Sequence, residues 1–225
     1  MNQQPTIPSR PLGRQALTNF SASNLVRSDF TDVTAHNGVF KGSSLHGADF
    51  SGADLTGSTF MGSDVREANF DGANLTDCRL SMLDLTHASF NKTTLERTDL
   101  SKSKLDGAKF TEVRLTDVTL TMTDLRNAVF EGCLFDGVDF KSSDLSGKCF
   151  DGQTLIGVKF EKAALTGASF KGANFTDVSF HPGFTLTKKY YRMIKTICFD
   201  GATMDKLTFA MLKGMDANLS KVTVI

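Results

Sequence analysis

The sequence predicts an all-β solenoid of four-sided coils, closed at its C-terminal end by a cap containing a short helix. Three observations carry this. Every fifth residue from Phe20 to Phe180 is Leu or Phe, apart from Ala35 and Val65, over 33 consecutive positions without an insertion or deletion. Helices and strands repeat at about 3.6 and about 2 residues, so neither explains a five-residue period. Held over a long stretch, a fixed period marks a solenoid whose repeats bury one another's apolar faces. The second observation is a longer period of twenty within the first. Phe30, Phe50, Phe70, Phe90, Phe110, Phe130, Phe150 and Phe170 form one column, while Leu25, Leu45, Val65, Leu85, Leu105, Leu125, Leu145 and Leu165 form its aromatic-free neighbour. Four pentapeptides per coil account for that separation. Third, the position two before each centre is small (Ala48, Ala53, Ser58, Ala68, Cys78, Ala88), as an inward corner requires.

The elements follow in order. Residues 1–17 are polar, hold three of the four Pro, and read as a flexible leader. Residues 18–182 are the repeat shaft. At hydrogen-bonded strand spacing its coils stack about 4.8 Å apart, close enough for Phe rings to stack in an offset ladder. Gly falls two after the centre at 14 of its 19 occurrences, where a sharp corner favours positive φ. Residues 183–225 are the cap. Pro182-Gly183 marks a turn, and Tyr190, Met193, Ile194 and Ile197 lie at helical spacing with Thr187 placed to cap a short helix. The five-residue register resumes at Phe199, Met204, Phe209, Leu219 and Val224 as a degenerate final coil, and the 19-residue step from Phe180 to Phe199 reads as one residue lost.

Units such as Ala48-Asp49-Phe50-Ser51-Gly52, Ala53-Asp54-Leu55-Thr56-Gly57 and Ala73-Asn74-Leu75-Thr76-Asp77 match A-(D/N)-(L/F)-x-x. The chain therefore resembles the pentapeptide-repeat family, closely over residues 18–182 and loosely over 197–225. The resemblance implies a right-handed quadrilateral β-helix, here of about eight or nine coils.

Composition excludes several functions. No segment approaches the roughly 20 apolar residues of a membrane span, and Met1–Thr6 lacks the basic-then-apolar pattern of a secretory signal. The four Cys (78, 133, 149, 198) have no C-x-x-C spacing, and the four His (36, 46, 87, 181) lie on different walls or in distant coils. They read as free thiols in a reducing compartment and as isolated imidazoles. There is no phosphate-loop motif. The expectation is a non-enzyme with no cofactor and no metal, cytoplasmic, or alternatively delivered into a host cell without a cleavable signal.

Formal net charge is zero, yet it is unevenly placed. Residues 18–182 carry 16 Lys and Arg against 22 Asp and Glu, a net −6; residues 183–225 carry 7 against 3, a net +4. One outward column reads Asp64, Asp84, Lys104, Asp124, Asp144. Stacked like charges repel, which makes Asp64, Asp84, Asp124 and Asp144 candidate partner-binding residues. A second candidate is the irregular corner where Lys148 and Gln153 take successive inward positions. Burying an unpaired ammonium is costly, so Lys148 is expected to snorkel outward and open or bulge the corner. A third is the C-terminal segment, whose Tyr190, Tyr191, Met193 and Ile194 are a candidate interface. The apolar Val222-Thr223-Val224-Ile225 is a further edge for a second copy, as in the end-to-end homodimers that the resemblance implies.

Two functional classes stay open. Some family members protect type II topoisomerases, binding DNA gyrase or topoisomerase IV as mimics of duplex DNA. The resemblance brings this expectation, the uninterrupted shaft suits it, and the interrupting Arg66, Lys104 and Arg126 weaken it. The other class is a scaffold for a different protein, in bacterial regulation or as an effector. Direct nucleic-acid binding is disfavoured by the acidic shaft.

Overall fold

The computed structural model describes residues 18–183 and 187–225; the leader lies outside them. From Thr18 the chain winds as a four-sided parallel β-helix, as the periods of five and twenty require. Each centre points inward and its flanking residues outward. Backbone bonds join the pentapeptides to the coils above and below, and the corner residue two after a centre adds another, as Gly52 N–H to Asp71 O at 2.9 Å. Phe50 N–H donates to Asn69 O at 2.7 Å, and Asn69 N–H donates to Ala48 O at 3.0 Å. A local bond closes the corner, Ala53 N–H to Phe50 O at 3.1 Å. Because a wall holds only a few extended residues, most rungs are single bridges. Within the shaft, continuous strands among the described residues are β1 (Thr94–Glu96), β2 (Lys109–Thr111), β3 (Arg114–Thr116), β4 (Val129–Glu131), β5 (Leu134–Asp136), β6 (Thr154–Ile156) and β7 (Asn174–Thr176).

The core is one file of buried centres. Phe50, Phe70, Phe90 and Phe110 are fully buried, with successive ring centroids 5.2, 5.2 and 4.7 Å apart and nearly parallel. The small inward positions carry a polar logic that the sequence alone leaves hidden. Ser58 Oγ donates to Ala35 O at 2.8 Å, Thr93 Oγ1 to Phe70 O at 2.7 Å and Ser103 Oγ to Leu80 O at 2.7 Å. A hydroxyl is therefore as acceptable as Ala there, since it finds a carbonyl in the preceding coil. The corners are less dependent on Gly than expected: Asp32, Met82, Lys92 and Met122 adopt φ of 56°, 58°, 55° and 55° at the same position.

At the C-terminal end the helix α1 (Lys188–Ile194) forms as its spacing predicts, and the Thr187 hydroxyl accepts from Tyr190 N–H at 3.2 Å. The register differs from the sequence reading. Cys198 pairs with Ser169 and Phe199 stacks on Phe170 at 5.7 Å, so paired residues are 29 apart instead of 20. Nine residues are inserted, not one lost. The longer segment contains α1, which takes the place of one wall: Leu165 N–H meets Met193 Sδ at 3.2 Å and Gly167 N–H donates to Thr196 Oγ1 at 2.8 Å. Phe209, read as a repeat centre, lies instead in a second helix, α2 (Lys206–Gly214). Asp205 caps it, accepting from Leu207 and Thr208 N–H at 2.8 and 3.0 Å. Strands β8 (Thr203–Met204) and β9 (Thr223–Val224) continue one wall, giving an unbroken ladder of ten stacked residues from Thr34 to Thr223.

Candidate protein-binding surfaces

The aspartate column is largely neutralised by its own neighbours. Arg66 holds Asp64 in a fork at 2.8 and 2.6 Å, Lys104 Nζ donates to Asp84 at 3.2 Å, and Arg126 forks Asp124 at 3.0 and 2.6 Å while lying 3.5 Å from Asp144. Each Asp also accepts the backbone N–H two residues on, as Ser146 N–H does for Asp144 at 3.0 Å. This local bond competes well with other geometries at corners. The Arg66 and Arg126 guanidinium bonds hold Asp64 and Asp124 below the usual carboxylate range. For Asp84, partial burial pushes upward, and the bonds from Thr86 and Lys104 outweigh it. A partner approaching these four carboxylates meets three cations with them.

Among the described residues several carboxylates have no cation, including Asp99, Asp117 and Asp139 on other walls, and a group of them on the neighbouring wall was passed over in the sequence. Asp29, Asp49 and Asp71, with Asp32 at the corner, have no ion pair among the described residues. They are satisfied by neutral donors: Asp49 by Ser51 N–H at 2.9 Å and Asn69 Nδ2 at 3.0 Å, Asp71 by Ser89 Oγ, Asn91 N–H and Asn91 Nδ2 at 2.6, 2.8 and 3.0 Å. Their charge therefore remains on the surface of the first coils. The signal was present in sequence as the absence of Lys and Arg from the two outward positions of that wall before Lys109.

The irregular corner is a real opening. Of the rungs on all four walls between Asn19 and Ala164, one is missing, Val129 to Cys149. The Phe130 and Phe150 rings stand 6.3 Å apart, against 4.9 Å for Phe110 and Phe130 and 5.0 Å for Phe150 and Phe170. Lys148 explains it, though not by snorkelling. The residue is 8% exposed and its Nζ donates to Ala128 O, the acceptor that Cys149 N–H would otherwise use. Burial pushes its ammonium below the ordinary lysine value. Gln153 is half-buried at the next corner and lines the same groove with Phe130, Glu131, Cys149 and Asp151, a space of about 450 Å³.

At the C-terminal end, the candidate interface residues pack mainly on their own chain. Ile194 is fully buried, Tyr190, Tyr191 and Met193 are partly buried against the core, and Tyr190 OH donates to Phe180 O. They seal the shaft. The exposed surface of α1 is instead basic: Lys195 pairs with Asp216 at 2.5 Å, whereas Lys188, Lys189 and Arg192 have no ion pair among the described residues. Cys78 and Cys133 are buried, and burial pushes their thiols up to about 12 and about 11; Cys149 is exposed. Among the described residues no group of three or more His, Cys, Asp or Glu is placed to hold a metal, and no helix is long and apolar enough to cross a membrane.

Comparison with known proteins bears on these surfaces. A profile described as pentapeptide repeat region matches residues 33–110 and 73–150, and one described as pentapeptide repeats (8 copies) matches 155–181. No curated protein sequence matches significantly. Among solved structures, a trypsin-treated variant of QnrB1, a plasmid-mediated fluoroquinolone resistance protein, aligns with a TM-score of 0.68 at 20% identity over 88% of this chain and 94% of that one. HetL, involved in heterocyst differentiation regulation in the cyanobacterium Nostoc sp. strain PCC 7120, aligns with a TM-score of 0.62 at 21% identity over 83% of this chain and 84% of that one. At such identities the likeness is one of fold.

Proposed function

We infer that this chain, which belongs to the pentapeptide-repeat family, is a non-enzymatic protein-binding rod. The walls of the shaft present outward side chains in stacked coils, and its interior is filled by centres packed against one another. Binding therefore belongs to a wall or an end.

The most specific partner is a type II topoisomerase, engaged by mimicry of duplex DNA. The observation that carries it is the wall bearing Asp29, Asp49 and Asp71, whose carboxylates keep their charge at spacings set by the coils. A protein groove that receives phosphates would meet acceptors there. The fold likeness to QnrB1 is compatible with this reading. The neutralised Asp64–Asp144 column is the poorer face for the purpose. The test is gyrase supercoiling with rising amounts of the protein, with and without a fluoroquinolone. Protection or inhibition at submicromolar protein, lost in Asp49→Lys/Asp71→Lys, supports the reading; no effect up to tens of micromolar overturns it.

A scaffold for a regulatory or host protein is the alternative. What supports it is the fold likeness to HetL together with the charge balance of the Leu25 wall. Pull-down from the native cell with the same Asp49→Lys/Asp71→Lys variant as control separates the two. A homodimer through the C-terminal end is also part of this proposal, since Leu207 and Val224 are exposed there; light scattering across a concentration series tests it.

A further inference from the structure

The groove at Lys148 has more donors than the protein satisfies. An ammonium has three N–H groups, and the described structure gives Lys148 one acceptor, Ala128 O. A buried cation short of acceptors calls for a further partner. The missing rung adds donors. In every other coil of this wall the centre's N–H points to the next coil and the preceding residue's N–H points back, as Phe90 to Lys109 O at 2.8 Å and Lys109 to Ala88 O at 3.0 Å show. By that geometry Phe130 N–H and Cys149 N–H face each other across the opening, and no bridge joins them. The apolar lining is slightly uncovered as well: Phe130 is 6% exposed, where Phe110 and Phe150 are 0%.

Competing charges are few. Asp151 lines the groove but its carboxylate is turned to the following coil, accepting from Ser169 Oγ at 2.5 Å and Lys171 N–H at 2.8 Å. Glu131 is exposed on the rim, Asp151 is also met by the Cys149 side chain, and Asp124 acts on the Lys148 ammonium from the adjoining wall.

We propose that this groove is a carboxylate-binding site, with the Lys148 ammonium as its floor and the Phe130 and Cys149 N–H groups as its rim. The carboxylate it takes is an Asp or Glu side chain on an extended segment of a partner protein. A single carboxylate oxygen pair meets a charged donor and backbone donors together, the arrangement that gives charge-assisted bonds their strength. The surrounding Phe130 edge and Gln153 suit a neighbouring apolar or amide group of the same segment. The proposal rests on the partner-binding reading only for the source of the carboxylate; the ligand titration reports on the groove itself.

The test is an amide-resolved NMR titration of the full chain with the blocked peptide acetyl-Gly-Glu-Gly-amide. The same peptide carrying Gln, and sodium acetate at matched ionic strength, serve as controls. The expected result is saturable shifts at Phe130, Cys149 and Gly132, at least roughly tenfold weaker with the Gln peptide and with acetate. Lys148→Met should abolish them, and Glu131→Gln should tighten binding roughly twofold, the scale of one exposed like charge. Equal response to the Glu and Gln peptides overturns the site, as does retention of the shifts in Lys148→Met. Equal affinity for acetate and the Glu peptide overturns the partner segment as the source. Amide dispersion of Lys148→Met shows that the variant is folded, and Glu131→Gln gives an independent reading on an exposed position.

Discussion

Replacing Lys148 by Ala should stabilise this protein, although it deletes a buried, hydrogen-bonded side chain. Ala is the residue at the equivalent corners of neighbouring coils, Ala108, Ala128 and Ala168, where exposure is 0–2%. Three terms decide the sign. The variant loses one ammonium-to-carbonyl bond, worth about 1.5–3 kcal/mol. It regains the two backbone bonds of the Val129–Cys149 rung, about 0.5–1.5 kcal/mol each. It also sheds the desolvation of a partly buried ammonium, on the order of a few kcal/mol. The first two nearly cancel, so desolvation decides, and a net gain of about 1–3 kcal/mol is expected. The Phe130 and Phe150 rings should close from 6.3 Å toward the 5.0 Å of Phe150 and Phe170. Urea unfolding reads the energy as a higher midpoint at unchanged slope, and hydrogen exchange reads new protection at Phe130 and Cys149. A fall in stability, or unchanged exchange at those two amides, would refute the claim that Lys148 holds the ladder open. A gain would mean that the open rung costs stability in the native protein, as functional irregularities commonly do.

Further outcomes follow from the same interactions. Asp205→Ala removes the cap of α2 and the acceptor for Asp177 N–H at 2.9 Å, so the chain should lose about 1–2 kcal/mol in urea unfolding. Acid should destabilise the shaft. Asp64 and Asp124 have folded values lowered by their arginines, so their stabilisation is fully present above the unfolded carboxylate value near about 4 and is lost as pH falls through the folded values. A thermal midpoint that is flat between neutral pH and about 4 and falls below it is the expected profile. Toward a thiol reagent under native conditions, Cys149 should react first, while Cys78 and Cys133, buried and with thiols pushed up to about 12 and about 11, should wait for unfolding.

How much of this was legible in the sequence depends on whether a residue acts within its own repeat. The centres, the inward small positions and the cap at Thr187 were legible because each is set by a local period or a local bond. Gln153 and Lys148 stood out as breaks for the same reason. The direction of the Lys148 side chain was not legible, because the acceptor that draws it inward belongs to the preceding coil. The neutralisation of Asp64 and Asp124 was only half visible: Arg66 and Arg126 are two residues away, but the forked geometry depends on both side chains lying along one wall. The bare charge of Asp29, Asp49 and Asp71 was overlooked because it shows as an absence of cations in stacked coils rather than as a motif.

The C-terminal end divides in the same way. α1 was readable from apolar spacing, whereas α2 was masked by a coincidence of register, since Phe199, Met204 and Phe209 keep the five-residue step while the chain turns helical at Lys206. A period names the repeat and cannot say which wall resumes after an insertion. By itself, then, the sequence determined the coil, its four walls and the buried file of centres, because those depend on which residues recur and on the burial that recurrence demands. Tertiary structure alone decided which charges are cancelled, where the ladder opens and how the end is sealed, because each depends on groups distant in the chain, such as Lys148 and Ala128 or Lys104 and Asp84, being brought within hydrogen-bond distance.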